Sequence, residues 1–313
     1  MKLEYRNVRL WAWMACFAPA VALAQTAPPP PAPAPQPPTL EKIRTRGSIV
    51  LAHRDASVPF SYVDQDKRPI GYSLDLCLRV VDAVRRALKA PALRVEYLPV
   101  AAAQRLPSIV EGRADLECGN TTNTAARRNQ VAFTVTHYFA GGRLLVKSDS
   151  GIQRLADLGS RVVTTTSGST HAAFIKQQVE RGLLRVRLLE AKDSAEAFAL
   201  LAEGKAAGFL MDDIVLYGLR ATAADPKAFA VVGEFTTVEP LAIMLRRDDP
   251  EFKRLVDVTL SQLMIDGEAM ALYRRWFEQP IPPKGITLGV PPSPLLREQF
   301  RFPSDKVGDA LGG

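Results

Sequence analysis

The chain is poor in sulfur and histidine and has no block of like charge. Three cysteines and three histidines occur among 313 residues. His53, His137 and His171 lie far apart, without the short spacings that gather ligands around a metal. No metal or cofactor is therefore expected. No run of five basic residues occurs. The net charge of +7, from 40 Lys/Arg and 33 Asp/Glu, is spread too thinly to mark a nucleic-acid surface. Long apolar runs are also scarce. The one clear case, WAWMACFAPAVALA at 11–24, falls short of the ~20 residues a spanning helix needs.

That run follows Lys2, Arg6 and Arg9 and ends in Ala22-Leu23-Ala24, the small-residue pattern of a cleavage site. Residues 1–24 read as a secretory signal peptide, which implies export. Cys16 follows Trp-Met-Ala and lacks the leucine of a lipoprotein signal. Losing Lys2, Arg6, Arg9 and Glu4 with the signal leaves a net charge of +5. Residues 25–38 hold eight prolines and read as an extended spacer without a core. Cys77 and Cys118 remain in the mature chain. In an oxidising compartment they form one disulfide or stay as two buried thiols, and spacing alone leaves both open.

From Thr39 onward, strand and helix patterns alternate. SIVLAHR (48–54) reads as a buried strand. GYSLDLCLRVVDAVRRALK (71–89) reads as a helix with apolar positions 77, 80, 81, 84 and 88 on one face and Ser73 as its N-cap. RVEYLPV and ADLECG read as strands flanking a short helix, QRLPSIVEGR, with Pro107 in its first turn. The pattern then restarts. GGRLLVK, SRVVTTT, RVRLLEA, AAGFLMD and LAIMLRR read as strands, and GSTHAAFIKQQVERG, AFALLAEG, DIVLYGLRA, DPEFKRLVDVTLSQLM and GEAMALYRRWF as helices. Asp193-Ser-Ala-Glu196 resembles a capping box. Residues 280–294 form a loop-rich tail. Repeated β-α units imply α/β lobes with mostly parallel sheets. Ligands of such sheets bind beyond the carboxyl ends of strands. Polar clusters sit there after four strands: HR, CGNTT, TSGST and MDD.

The motifs HRDASVPFSY (53–62), IGYSLDL (70–76), QRLPSIVEG (104–112), ECGNTTNTAARRNQVAF (117–133), TTSGST (165–170), AKDSAEAF (191–198), FLMDD (209–213) and EAMALYRRWFEQPIPPK (268–284) occur in order over about 39–307. Together they resemble the solute-binding proteins of polar amino-acid ABC transporters, and within them the periplasmic glutamate/aspartate binders. The resemblance implies a type II periplasmic binding protein fold, two α/β lobes joined by two crossing hinge segments. Lobe 1 is expected at 39–139 plus 243–313 and lobe 2 at 140–242. It further implies a periplasmic monomer that delivers glutamate or aspartate to an inner-membrane permease and performs no chemistry.

The same resemblance assigns roles residue by residue. Arg127 is matched to the ligand α-carboxylate, with Thr122 and Asn120 adding hydrogen bonds. Ser169 and Thr170 belong to a helix start that offers further donors to that carboxylate. Asp212 is matched to the α-ammonium, and Arg54 and Arg105 to a side-chain carboxylate. The chain departs from the family pattern in three places. Ala102 stands where a serine is usual, Ser194 replaces a histidine after AKD, and Asn120 replaces a serine. His171, beside Thr170, is a candidate stand-in for the missing imidazole. Two rival functions share the scaffold: a cyclohexadienyl dehydratase-like enzyme and a ligand receptor for a membrane sensor kinase. Glu117 is the acid nearest the expected pocket, but strand alternation sends Glu117 and Cys118 to opposite sides, and no catalytic constellation is evident.

Overall fold

A computed structural model describes residues 37–306 together with Met1. The expected signal peptide at 1–24, apart from Met1, and the expected spacer at 25–38 through Gln36 lie outside the described residues, as do 307–313.

Two mixed sheets organise the chain. In the first, the order is Arg94–Pro99, Ser48–His53, Leu116–Glu117, Met244–Arg246, Val131–Phe133. The first three are mutually parallel, and Met244–Arg246 runs antiparallel to both its neighbours. In the second, the order is Arg187–Ala191, Val162–Thr166, Gly208–Asp212, Tyr138–Lys147, Phe229–Val232. Again three strands are parallel, and the long Tyr138–Lys147 opposes its neighbours. The expectation of mostly parallel sheets thus holds for the β-α units. It misses the antiparallel strands, whose pairing is non-local. All six residues of Ser48–His53 are buried, as an apolar strand covered on both faces requires.

The chain passes between the sheets twice. Residues 134–137 lead from the first sheet into Tyr138–Lys147, and Ala242-Ile243 lead back. These passages run side by side: Thr134 N donates to Ile243 O at 3.0 Å and His137 N to Leu241 O at 2.9 Å. The strand Val238–Leu241 continues the pairing onto 138–141. An aromatic cluster packs beneath. Tyr273 and Phe277 stack at 4.3 Å, Phe277 meets Tyr138 at 5.0 Å, and the Tyr72 hydroxyl donates to His137 O at 3.2 Å.

The helices follow the expected stripes, with small differences at their ends. Tyr72–Ala87 buries Cys77, Val80, Val81 and Val84, while Leu88 is half-buried. Its N-cap is Gly71 and not Ser73, which sits inside the helix and is buried. Gly71 has φ +140°, and a Cβ there would fall 2.3 Å from Phe60 O, so only glycine fits this entry. Asp193 caps Ser194–Ala202 by accepting from Glu196 N at 2.9 Å. Glu196 reaches back to Lys192 N at 2.7 Å, one residue before the cap. Three helices carry no expectation from the sequence: Thr39–Arg46, the single turn Ala125–Arg128, and Pro294–Arg301 beyond the tail loop.

Cys77 and Cys118 are joined as a disulfide, tying Tyr72–Ala87 to the end of Leu116–Glu117. The bond separates two cysteines by 41 residues. Closing a loop of that size in the unfolded chain is worth about 2–4 kcal/mol. The double substitution Cys77→Ala and Cys118→Ala should therefore lower unfolding free energy by that amount in a denaturant titration. A change under about 0.5 kcal/mol would show that the disulfide contributes little to stability.

Candidate functional site

The segment Gly119–Thr124 leaves the strand Leu116–Glu117 and carries five short polar side chains. Asn120, Thr121, Thr122 and Asn123 are all buried. Each uses its short reach differently. Thr121 Oγ1 accepts from Arg105 Nη1 at 2.7 Å and donates on to Glu117 Oε2 at 2.7 Å. Asn120 Nδ2 donates to Asp212 Oδ2 at 2.8 Å, linking the segment to the second sheet. Thr122 bridges the returning chain at Leu241, and its carbonyl accepts from Arg127 Nη1 at 2.9 Å. Thr124 caps the short helix Ala125–Arg128, accepting from Arg127 N at 3.2 Å. The two arginines follow because that turn directs Arg127 back over the segment.

Arg54 and Arg105 lie on the same side, both only 3% exposed. Arg54 follows Ser48–His53; its backbone N donates to Ser61 Oγ at 2.9 Å. Its Nε is buried and has no hydrogen-bond partner. Arg105 opens the helix Arg105–Val110, and its Nε donates to Ala102 O at 2.9 Å. Burial first, then the charge of Arg105, lowers the Arg54 guanidinium to about 10, while Glu117 and Asp193 oppose the shift. That value leaves Arg54 charged at neutral pH. Glu117 is fully buried, and its Oε1 also lacks a partner. Burial raises its pKa, and Arg105, Thr121 and Arg54 offset that only in part. Alternation does separate it from Cys118, but it turns Glu117 toward the arginines. The opposing approach is close: a Cβ on Gly119 would sit 2.3 Å from Glu117 Oε1 and 3.2 Å from Arg54 Cγ.

The second sheet supplies the facing groups. Thr166 ends the strand Val162–Thr166, and Ser169 caps Thr170–Glu180 by accepting from Ala172 N at 3.1 Å. Thr170 Oγ1 donates to Glu239 Oε2 at 2.9 Å. Asp212 ends Gly208–Asp212, and its Oδ1 lies 2.9 Å from His171 Nε2, with both side chains buried. Gly168 O is approached from the first sheet by Arg127 Nη2 at 3.1 Å and, more weakly, by Arg105 Nη2 at 3.5 Å. Gly168 has φ +72°, and a Cβ there would lie 3.1 Å from Ala103 Cα. This contact therefore also depends on glycine.

All eight residues singled out from the sequence thus gather where the strand ends of the two sheets meet. Thr122, Arg127, Ser169 and Thr170 line a cleft of about 540 Å³, together with Glu239. Arg54, Arg105, Asn120 and Asp212 are buried. Sequence reasoning missed Glu239, a single acid in the strand Val238–Leu241, and the relay role of Thr121. An isolated glutamate among VEPLAIML was the available signal, because an acid in an apolar strand needs a partner. Ser194 is buried, and its neighbour Asp193 contributes to the field at Arg54.

The family model of bacterial extracellular solute-binding proteins, family 3, matches residues 49–279. The chain is 39% identical over 269 residues to the glutamate/aspartate import solute-binding protein of Escherichia coli, covering 86% of this chain and 89% of that one. It is 40% identical over 274 residues to the L-glutamate/L-aspartate-binding protein of Pseudomonas aeruginosa, covering 87% and 91%. Among solved structures it resembles an ancestral arginine-binding protein bound to glutamine, with TM-score 0.65, 25% identity and coverage of 74% and 98%. It also resembles an ancestral amino acid-binding protein described as a precursor of cyclohexadienyl dehydratase, with TM-score 0.64, 27% identity and coverage of 77% and 100%. The two sheets and double crossing are those of the type II periplasmic binding protein fold. On these grounds the chain belongs to the family 3 bacterial extracellular solute-binding proteins.

Proposed function

We propose that this solute-binding protein captures glutamate or aspartate between two lobes and delivers it to an inner-membrane ABC permease. The lobes divide at 39–139 plus 243–313 and 140–242, near the two passages between the sheets. The protein works in the periplasm as a monomer. The names of its relatives, at 39% and 40% identity, favour an acidic amino acid. They also favour binding over catalysis.

The observation that carries the ligand class is the buried Arg54 guanidinium, with a partnerless Nε, beside Arg105. Glu117 raises the proton affinity of both arginines, while burial raises its own pKa. Repulsion between the two arginines is already offset in part by Glu117, so it does not by itself require a second anion. A ligand side-chain carboxylate offsets the remaining charge and gives Arg54 an acceptor. Hydrogen bonds to charged groups are worth ~1.5–3 kcal/mol each.

At the other end of the ligand, Arg127 and Thr170 approach the cleft from the first and second sheets. With Ser169 and Thr122 beside them, they suit an α-carboxylate. Asp212, with Asn120 at its side, suits the α-ammonium. Placing these charges in a buried site without partners would cost several kcal/mol per ion. The reading gives each ligand charge an opposite one. Ala102 in place of a serine leaves Arg105 bonded to a backbone carbonyl on that side.

The first test is identification of the ligand released when purified protein is denatured, by mass spectrometry. Glutamate or aspartate is expected, and a neutral or basic amino acid would contradict the ligand class. Two substitutions separate the ends of the ligand. Asp212→Asn removes the charge opposite a group that every α-amino acid carries. It should weaken all tested amino acids by about 10- to 150-fold in calorimetry. Unchanged glutamate affinity would remove Asp212 from the ammonium site. Arg105→Ala should weaken glutamate by about 10-fold or more and narrow the ratio of glutamate to glutamine affinity. Equal losses for both ligands would mean that Arg105 does not sense side-chain charge.

A further inference from the structure

His171, expected from the sequence as a stand-in for the missing imidazole, lies against Asp212. His171 is the second residue of Thr170–Glu180, and its side chain is fully buried. Both oxygens of Asp212 already receive a protein group, His171 Nε2 at 2.9 Å on Oδ1 and Asn120 Nδ2 at 2.8 Å on Oδ2. An α-ammonium reaching Asp212 must share this carboxylate. Asn120 can adapt, because its Oδ1 is buried without a partner and is able to accept from an ammonium. A protonated His171 cannot adapt, since the imidazolium has only donors and carries the same charge as the ligand group.

We propose that protonated His171 and the ligand α-ammonium compete for Asp212, so that amino-acid capture expels a proton from His171 and strengthens as pH rises. The inference rests on the reading of Asp212 as the ammonium partner.

The groups facing the imidazole fix the sign. Asp212 comes from Gly208–Asp212, Glu239 from Val238–Leu241 and Arg127 from Ala125–Arg128. The strand Tyr138–Lys147 packs against the ring through Gly142, where a Cβ would lie 3.0 Å from His171 Cε1. Burial lowers the proton affinity of His171. The bond to Asp212 and the charges of Asp212 and Glu239 outweigh burial and Arg127, and the net shift is upward from 6.5. His171 therefore holds its proton more tightly than an ordinary histidine does. An ammonium on Asp212 cancels the main source of that upward shift and adds a like charge nearby. Pairing of the ligand α-carboxylate with Arg127 works the other way, but on the last-ranked influence. The bound state thus holds its proton less tightly, and linkage makes affinity rise with pH between the two values. The ligand side chain does not titrate there, because it ionises at about 4.3.

Calorimetric titration of the full mature protein with glutamate, at about pH 8 and about pH 6, tests this. A shift of one pKa unit corresponds to about tenfold in affinity. Affinity is expected to be ~10-fold weaker at the lower pH. Titrations in two buffers of different ionisation enthalpy should show net proton release. His171→Gln keeps a hydrogen-bond donor for Asp212 without a titratable charge, and should flatten the pH dependence. A pH-independent wild-type affinity without proton release would overturn the inference alone, as would a wild-type slope in His171→Gln. If that variant does not fold, the wild-type proton count decides by itself. Failure to bind glutamate or aspartate at any pH would instead overturn the underlying reading of the site, and this inference with it.

Discussion

Keeping guanidinium groups charged inside a protein is the constraint on which this molecule turns. Arg54 and Arg105 are almost wholly withdrawn from water, and Arg54 is still protonated at neutral pH. An unpaired buried charge costs several kcal/mol. The surroundings are arranged to limit that cost. Thr121 relays Arg105 to Glu117, Ala102 O accepts from Arg105, and Gly168 O faces Arg127. Each of these contacts needs a short side chain or bare backbone, so the segment is built from Gly, Asn and Thr.

The scaffold makes that arrangement possible without chemistry at the site. Parallel strands end on the same side of each sheet, and their following loops converge. The paired passages at 134–137 and 242–243 hold the two sets of strand ends opposite each other. Aromatic packing of Tyr72, Tyr138, Tyr273 and Phe277 supports the passages from below. Bonds between the sets are few and polar, such as Asn120 to Asp212. Such bonds can be exchanged for bonds to a ligand at little net cost, because water or ligand atoms replace the protein partner. A hinge-closing mechanism needs that property.

Much of this was legible in the sequence. Periodicity located the helices at 72–87 and 250–265, because one apolar face is enough to specify them. The family resemblance selected the eight site residues, and these gather at one junction. Other features were hidden because they depend on distant partners. Leu116–Glu117 is only two residues long, although ADLECG reads as a longer strand; its neighbours pair it over a short register. Ser73 looks like a cap, yet the tight approach to Phe60 makes Gly71 the entry residue. Glu117, read from the sequence as the acid nearest the pocket, acts on both buried arginines. Glu239 and the link from His171 to Asp212 join a helix to strands far from it in sequence, so no local pattern announces them.

The central claim is that the site holds excess positive charge at its Arg54–Arg105 end and takes a ligand carboxylate there. Parallel calorimetric titrations with glutamate, aspartate, glutamine and asparagine test it most directly. Each acid and its amide have nearly the same shape and differ in one charge. The account predicts that at least one acid binds more than about 10-fold tighter than its amide, the lower end expected for a hydrogen bond to a charged group. Equal affinity within both pairs, or preference for an amide, would contradict it.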